Sequence, residues 1–220
     1  MEYICLRHLD LYDSPQCEGL ATQAAMGRHL QIISPQDTEG AIEVRLAEDG
    51  YRAWLPSSQL EALEPTVTVY QPPVVSRGEI AARIPQIIAF MKAAMAVPNI
   101  YLWGGTVAPN YDCSGLMQAA FAASGIWLPR DSYQQAGFTQ RLAETELVAG
   151  DLIFFAAKER VSHVALYLGE GNYIHSSGKD IGRNGIGIDR LSPDSGTIGQ
   201  NYYRQLWGFG RVMESMAIDI

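Results

Sequence analysis

The thiols and imidazoles of this 220-residue chain are few, three cysteines and four histidines, and they sit in different settings. Cys113 follows Asp112 and opens the run CSGLMQAAFAAS, which reads as a helix from about Cys113 to Ser124, with Asp112 as N-cap and Gly125 as its stop. A thiol in the first turn of a helix lies beside unpaired N–H groups and the positive end of the helix dipole, both of which favour thiolate. Cys5 and Cys17 fall in β-rich sequence and read as small hydrophobes. An odd number of cysteines leaves at least one thiol free, which suits a reducing compartment.

Two histidines share the segment VSHVALYLGEGNYIHSSG, and turn arithmetic decides whether they cooperate. Opposed residues of an antiparallel hairpin have a constant sum of numbers, and His163 and His175 share a face only if that sum is even. A three-residue loop Gly169-Glu170-Gly171 makes the sum 340, places Ala165 opposite His175 and makes His163 its diagonal neighbour. A two- or four-residue loop would put the rings on opposite faces. The chemistry this allows is a thiol–imidazole pair: Cys113 attacks a carbonyl, His163 takes and returns the proton, and His175 orients His163. Zinc held by Cys113, His163 and His175 is the rival reading, although no compact Cys-x-x-Cys or His-x-x-x-His pair supports it.

The elements that must position these groups divide the chain. Residues 1–76 carry 4 Lys and Arg against 11 Asp and Glu, whereas residues 77–220 carry 12 against 13. The acid is thus concentrated in the first third, and neither part has the basic surplus that nucleic acid or an anionic membrane attracts. Tyr3–Tyr12, His29–Ser34, Ile42–Leu46 and Tyr51–Leu55 read as strands, the last two joined through Glu48-Asp49-Gly50, so the first 63 residues predict a small antiparallel barrel. Glu64–Gly78, with three prolines and no periodicity, reads as the connection.

Beyond it, Ile80, Ile84, Ile87, Ile88, Met91 and Met95 form a helix stripe with Pro85 in its first turns and Pro98 beyond its end. Leu152–Phe155, His163–Leu168, Tyr173–Ser176, Gly187–Asp189 and Trp207–Val212 read as strands. Helices followed by strands predict an α+β domain with helices packed on an antiparallel sheet. The domain boundaries implied are 1–70 for the barrel, 71–79 for the linker and 80–220 for the second domain. Lys179–Tyr203, rich in Gly, Asp, Ser and Asn, reads as a loop bordering the cleft. No apolar run is long enough for a membrane helix, and the charged start MEYICLRHLD is unlike an export signal, so a cytoplasmic location is expected. No dinucleotide, phosphate-loop or EF-hand pattern is present, and no cofactor is implied.

The blocks Tyr101-Leu-Trp-Gly-Gly, Asp112-Cys113-Ser114-Gly115-Leu116, Ala149-Gly150-Asp151-Leu152-Ile153-Phe154-Phe155 and Ser162-His163-Val164-Ala165-Leu166-Tyr167-Leu168-Gly169 resemble the NlpC/P60 family of cell-wall cysteine peptidases. The N-terminal module resembles a bacterial SH3 domain, and the pair is similar to two-domain γ-D-glutamyl-L-diamino acid endopeptidases. The resemblance implies a papain-like fold for the second domain, with Cys113 as nucleophile, His163 as base, His175 as orienting residue and Tyr101 as an oxyanion donor beside the Cys113 backbone N–H. It implies that Asp112 binds the amine of a terminal L-Ala in a pocket closed by a barrel tyrosine, for which Tyr51 is the candidate. In Leu128-Pro129-Arg130-Asp131-Ser132 it gives Arg130 and Ser132, beside Asp131, to the α-carboxylate of γ-linked D-Glu. Ser114 lines the same pocket, and Trp103 flanks it.

The expected partner is therefore a small murein peptide with a free N-terminus, met in cell-wall recycling. Two other functions fit the same residues: a catalytically silent wall-peptide-binding protein, and an acyltransferase or amidase acting on other amides.

Overall fold

Alternation of apolar and polar residues in the first third folds into one seven-stranded antiparallel sheet that curls around its own core. The computed structural model describes residues 1–218. The strands are β1 (Glu2–Cys5), β2 (Leu9–Tyr12), β3 (Leu20–Ala24), β4 (His29–Thr38), β5 (Ala41–Leu46), β6 (Arg52–Pro56) and β7 (Leu63–Thr66). Their order is β3-β2-β6-β5-β4-β1-β7. Leu9, Leu11, Leu30, Val44, Leu46 and Leu55 fill the interior. The expected run Tyr3–Tyr12 is two strands, because the alternation lapses at Leu6-Arg7-His8. β3 was not anticipated. Nor was β7, which lies in the stretch read as linker and pairs with β1 from Glu2↔Thr66 to Cys5↔Leu63. Pro65 is tolerated there because β7 is an edge strand.

The second domain begins with α1 (Arg77–Ala96). Ser76 caps it, and a capping box with Glu79 starts the helix a turn ahead of the apolar stripe. Pro85 consequently lies in the helix interior rather than in its first turns. It is exposed, so water can meet the carbonyl that its missing N–H leaves free. Ile80, Ile84, Ile87 and Met91 are buried, each contributing roughly 1.5–3 kcal/mol by leaving water. After the ribbon β8 (Thr106–Val107) and β9 (Asn110–Tyr111) comes α2 (Cys113–Ala122), buried on nearly every side. Its end is closed at Gly125, where φ is +72° and the Ile126 N–H reaches back to Phe121 O.

There follow α3 (Ser132–Phe138), β10 (Gln140–Leu142), β11 (Leu152–Phe155), β12 (His163–Gly169), β13 (Asn172–Ser177), β14 (Gly185–Arg190), α4 (Thr197–Tyr203) and β15 (Leu206–Arg211). The sheet order is β10-β15-β11-β12-β13-β14. Val164 and Leu166 pack with the α1–α2 core, while Ile153, Phe155, Ala165 and Tyr173 pack on the opposite face with Tyr202 of α4. Lys179–Tyr203, read as a loop around the short strand Gly187–Asp189, therefore supplies a longer strand, β14, and the unanticipated helix that covers the second face.

The β12–β13 register is Leu166↔Ile174 and Tyr167↔Tyr173, a sum of 340, so His163 and His175 share a face. The route differs from the expected three-residue loop. Gly169 pairs with Asn172 around a two-residue turn, Glu170-Gly171, whose residues both have positive φ. An irregularity between Tyr167 and Gly169 then shifts the register by one and restores the parity.

The two domains meet along polar contacts. Gln23 Oε1 accepts the Thr106 and Val107 N–H groups at 3.0 and 3.1 Å. Gln118 Nε2 donates to Asp49 Oδ2 at 2.7 Å, and the Arg28 guanidinium lies 4.7 Å from the Trp127 ring centroid. Gly104 sits on the seam at φ +79°, where a Cβ would stand 2.6 Å from the Leu20 carbonyl oxygen of the barrel. Gly104→Ala is expected to lose at least about 1–2 kcal/mol from backbone strain alone, read as a lower urea midpoint. Gly78→Ala is the control: it lies in the first turn of α1 with no atom within 4 Å, and it should hold or raise the midpoint.

Candidate active site

Cys113 is the first residue of α2, so its backbone N–H has no partner within the helix. Asp112 caps that helix by accepting the Gly115 N–H on Oδ1 at 2.7 Å. The backbone N–H groups of Val164 and Ser114 favour charge on the sulfur, which places it near the start of β12. The thiol is 5% exposed. Burial, with the negative charge of Asp112 next to it, pushes its pKa up to about 12. Burial thus favours the neutral thiol, which needs a base to become a nucleophile.

The base position is occupied. His163 Nε2 lies 2.7 Å from His175 Nδ1, and His175 Nε2 lies 2.8 Å from Asp189 Oδ2. Two nitrogens at 2.7 Å share a proton; bonded to one tetrahedral zinc at about 2.0–2.1 Å each they would stand further apart. Burial draws the His163 pKa well below its ordinary value, and the neighbouring His175 adds to the effect. Burial also lowers His175, which Asp189 only partly offsets. Tyr202 of α4 stacks on His163 at 4.3 Å and meets His175 edge-on at 4.9 Å. Neither Asp189, at the end of the expected strand Gly187–Asp189, nor Tyr202, in the stretch read as a loop, was given a role by the sequence reading. Asp189 was nonetheless findable, because His175 opposes Gly187 and a residue two positions along β14 shares that face.

A cavity of about 480 Å³ opens over the thiol, with walls from both domains. Cys113, Tyr101 and Trp103 line one side, Asp131 and Ser132 another, and the barrel contributes Asp13, Leu20, Ala21 and Tyr51. Asp112, Ser114 and Arg130 reach it as well. His163 and His175 lie behind it, buried. Burial raises the Tyr101 phenol, so it stays a hydrogen-bond donor. Trp103 is 73% exposed and forms the rim.

Two of the residues expected to meet substrate are also heavily bonded within the protein. On Asp112, Oδ1 takes Gly115 N–H, Ser114 Oγ and Arg130 Nη1, and Oδ2 takes Gly104 N–H at 2.9 Å and Arg130 Nη2 at 2.6 Å. Those five donors fill a carboxylate's acceptor sites. Arg130 is 2% exposed, grips Asp112, and gives two further donors to Ser114 Oγ at 3.0 Å and to Thr22 Oγ1 of the barrel at 2.9 Å, so four of its five N–H groups are bonded within the protein.

The unpaired charges in the cavity are others. Asp131 has no cation within ion-pair distance among the described residues, and burial raises its pKa despite Arg130 nearby. Arg160, to which the sequence reading gave no role, lines the cavity and lies 3.5 Å from the Tyr133 ring centroid. Burial and Asp131 push the Tyr51 phenol up to about 12.

The sequence pattern of the NlpC/P60 family matches residues 99–205, and that of the bacterial dipeptidyl-peptidase Sh3 domain matches residues 11–60. The chain is 35% identical over 158 residues to the gamma-D-glutamyl-L-lysine dipeptidyl-peptidase of Bacillus cereus, covering 66% of this chain and 46% of that protein. It is 38% identical over 112 residues to a probable endopeptidase p60 of Listeria innocua, covering 51% of this chain and 22% of that protein. A crystal structure of an NlpC/P60 family protein from Bacillus cereus aligns with a TM-score of 0.52 at 26% identity, covering 96% of this chain and 63% of that one. The chain thus spans less than half the length of these two curated relatives.

Burial of two neutral imidazoles has a consequence for stability. Both histidine pKa values are lower in the folded state than the unfolded value of about 6.5. Their contribution is present above that value and is lost as pH falls toward the folded values, because only the unfolded chain takes up the protons. The urea midpoint should therefore fall between pH 7 and pH 5, above the carboxylate range, and His163→Gln should flatten that slope.

Proposed function

We propose, from the premise that the chain joins an NlpC/P60 domain to a bacterial dipeptidyl-peptidase SH3 domain, that it is a cysteine peptidase. Its reaction is hydrolysis of the γ-D-Glu–diamino acid bond in murein peptides with a free N-terminal L-Ala. The observation that carries the reading is the cavity at the domain seam, with a buried helix-N-terminal thiol on one wall and unpaired charges of both signs around it. Cys113 Sγ attacks the γ-carbonyl carbon while its proton passes to His163. The phenol of Tyr101 and the backbone N–H of Cys113 meet the developing oxyanion, where each such donor is worth about 2.7–4 kcal/mol. His163 returns the proton to the leaving amine, and water then cleaves the thioester.

Specificity follows from the free charges. Asp131, with Tyr51 and Asp13 across the cavity, takes the ammonium of L-Ala in place of the saturated Asp112. Arg160 with Ser132 takes the D-Glu α-carboxylate in place of the committed Arg130. The barrel wall blocks extension beyond the amine, so a stem peptide still capped by the glycan does not fit. A filter of that kind belongs to recycling of freed peptides, and the three free thiols suit a reducing cytoplasm. No helix among the described residues is long and apolar enough to cross a membrane.

Turnover of L-Ala-γ-D-Glu-diamino acid peptides tests this. Cys113→Ala should abolish it. N-acetylation of L-Ala should lower kcat/KM on the order of 10²–10⁴-fold, the effect of leaving a desolvated carboxylate unpaired. Equal turnover of both peptides would overturn the filter while leaving the peptidase. Arg160→Ala should lower kcat/KM about 10–100-fold on the free α-carboxylate and little on the α-amidated peptide.

A further inference from the structure

Asp189, Arg183 and Gly187 form a unit that the reaction above leaves unused. Asp189 Oδ2 lies 2.8 Å from His175 Nε2 and accepts Arg183 Nη2 at 2.6 Å. The Arg183 guanidinium lies over β14 where Gly187 opposes His175, and a Cβ on Gly187 would overlap it. A carboxylate accepts hydrogen bonds and cannot donate them, which fixes the proton positions along the line. His175 must carry its hydrogen on Nε2 to give it to Asp189, leaving Nδ1 as an acceptor. His163 must then carry its hydrogen on Nε2 to give it to His175, leaving Nδ1 bare.

We infer that Asp189, held by Arg183, is a positioning residue that sets the tautomers of both histidines so that His163 presents an unprotonated Nδ1 to the Cys113 thiol. This rests on the reading of Cys113 and His163 as nucleophile and base. No bond is made or broken at Asp189. When Nδ1 takes the thiol proton, His163 becomes an imidazolium whose Nε2–H still points at His175, and the negative charge of Asp189 at the far end favours that state. The groups that face the pair are Tyr202 from α4, Tyr173 from β13 at 5.1 Å from His175 and Phe155 from β11 at 5.7 Å from His163, with Cys113 of α2 acting on Tyr202. Tyr173 and Tyr202 are phenols whose pKa burial raises, so Asp189 and Arg183 are the charges in the set.

The test has one arm that needs neither a variant nor a substrate. Nitrogen-15 NMR of labelled histidines in the wild-type protein should find His163 and His175 both protonated on Nε2 and bare on Nδ1 at neutral pH. A proton on His163 Nδ1 would overturn the inference. Asp189→Ala should lower kcat on the order of 10²–10⁴-fold with KM nearly unchanged. It should also slow iodoacetamide alkylation of Cys113 at neutral pH about tenfold or more and move its pH profile upward, followed by peptide mapping to separate Cys5 and Cys17. An Asp189→Ala protein with kcat and alkylation profile within threefold of wild type would equally overturn it. If the wild type cleaves no murein peptide, the peptidase reading fails, yet the NMR and alkylation arms still decide the role of Asp189.

Discussion

The buried ion pair between Asp112 and Arg130 ties together every part of the molecule that meets at the cavity. Asp112 caps the helix that begins with Cys113, and its other oxygen holds the Gly104 turn. Arg130 binds both oxygens and reaches Thr22 in the barrel. A pair so deeply desolvated adds little net stability, but removing one member leaves an uncompensated charge at a cost of about 3–5 kcal/mol. The chain thus retains an arrangement valuable for geometry more than for free energy. Nucleophile helix, glycine turn and barrel strand are joined because one guanidinium bonds to Asp112 and to Thr22 at once.

That rigidity explains how charge is divided in the cleft. With Asp112 and Arg130 neutralising each other below the surface, Asp13, Asp131 and Arg160 are the other ionic groups that line the cavity. Burial disfavours charge on the thiol and on both imidazoles alike. A resting site of neutral groups costs less to desolvate than an ion pair would, and charge develops only as the proton moves.

Much of this was legible in the sequence, because local rules govern it. The N-cap at Asp112, the stop at Gly125 and the stripe from Ile80 to Met91 follow from spacing and residue type. The shared face of His163 and His175 followed from parity, although an irregular strand rather than a longer loop delivers it. What stayed hidden depends on partners distant in sequence. The pairing of Asp112 with Arg130 spans 18 positions, and that of Arg130 with Thr22 spans 108. The motif alone assigned both charges to a ligand. α4 lies in a Gly- and Ser-rich segment whose propensity is low, and it is held by tertiary packing of Tyr202 and Ile198 on the sheet.

The central claim is that one of three thiols, placed by that ion pair and served by the histidine line, becomes covalently linked to substrate during turnover. Acid quenching of the protein during cleavage of L-Ala-γ-D-Glu-diamino acid, followed by intact-mass measurement and peptide mapping, reads this directly. The account predicts an L-Ala-γ-D-Glu acyl group on Cys113, released by water as product forms. An acyl group on Cys5 or Cys17, or cleavage with every thiol unmodified throughout the time course, would contradict it.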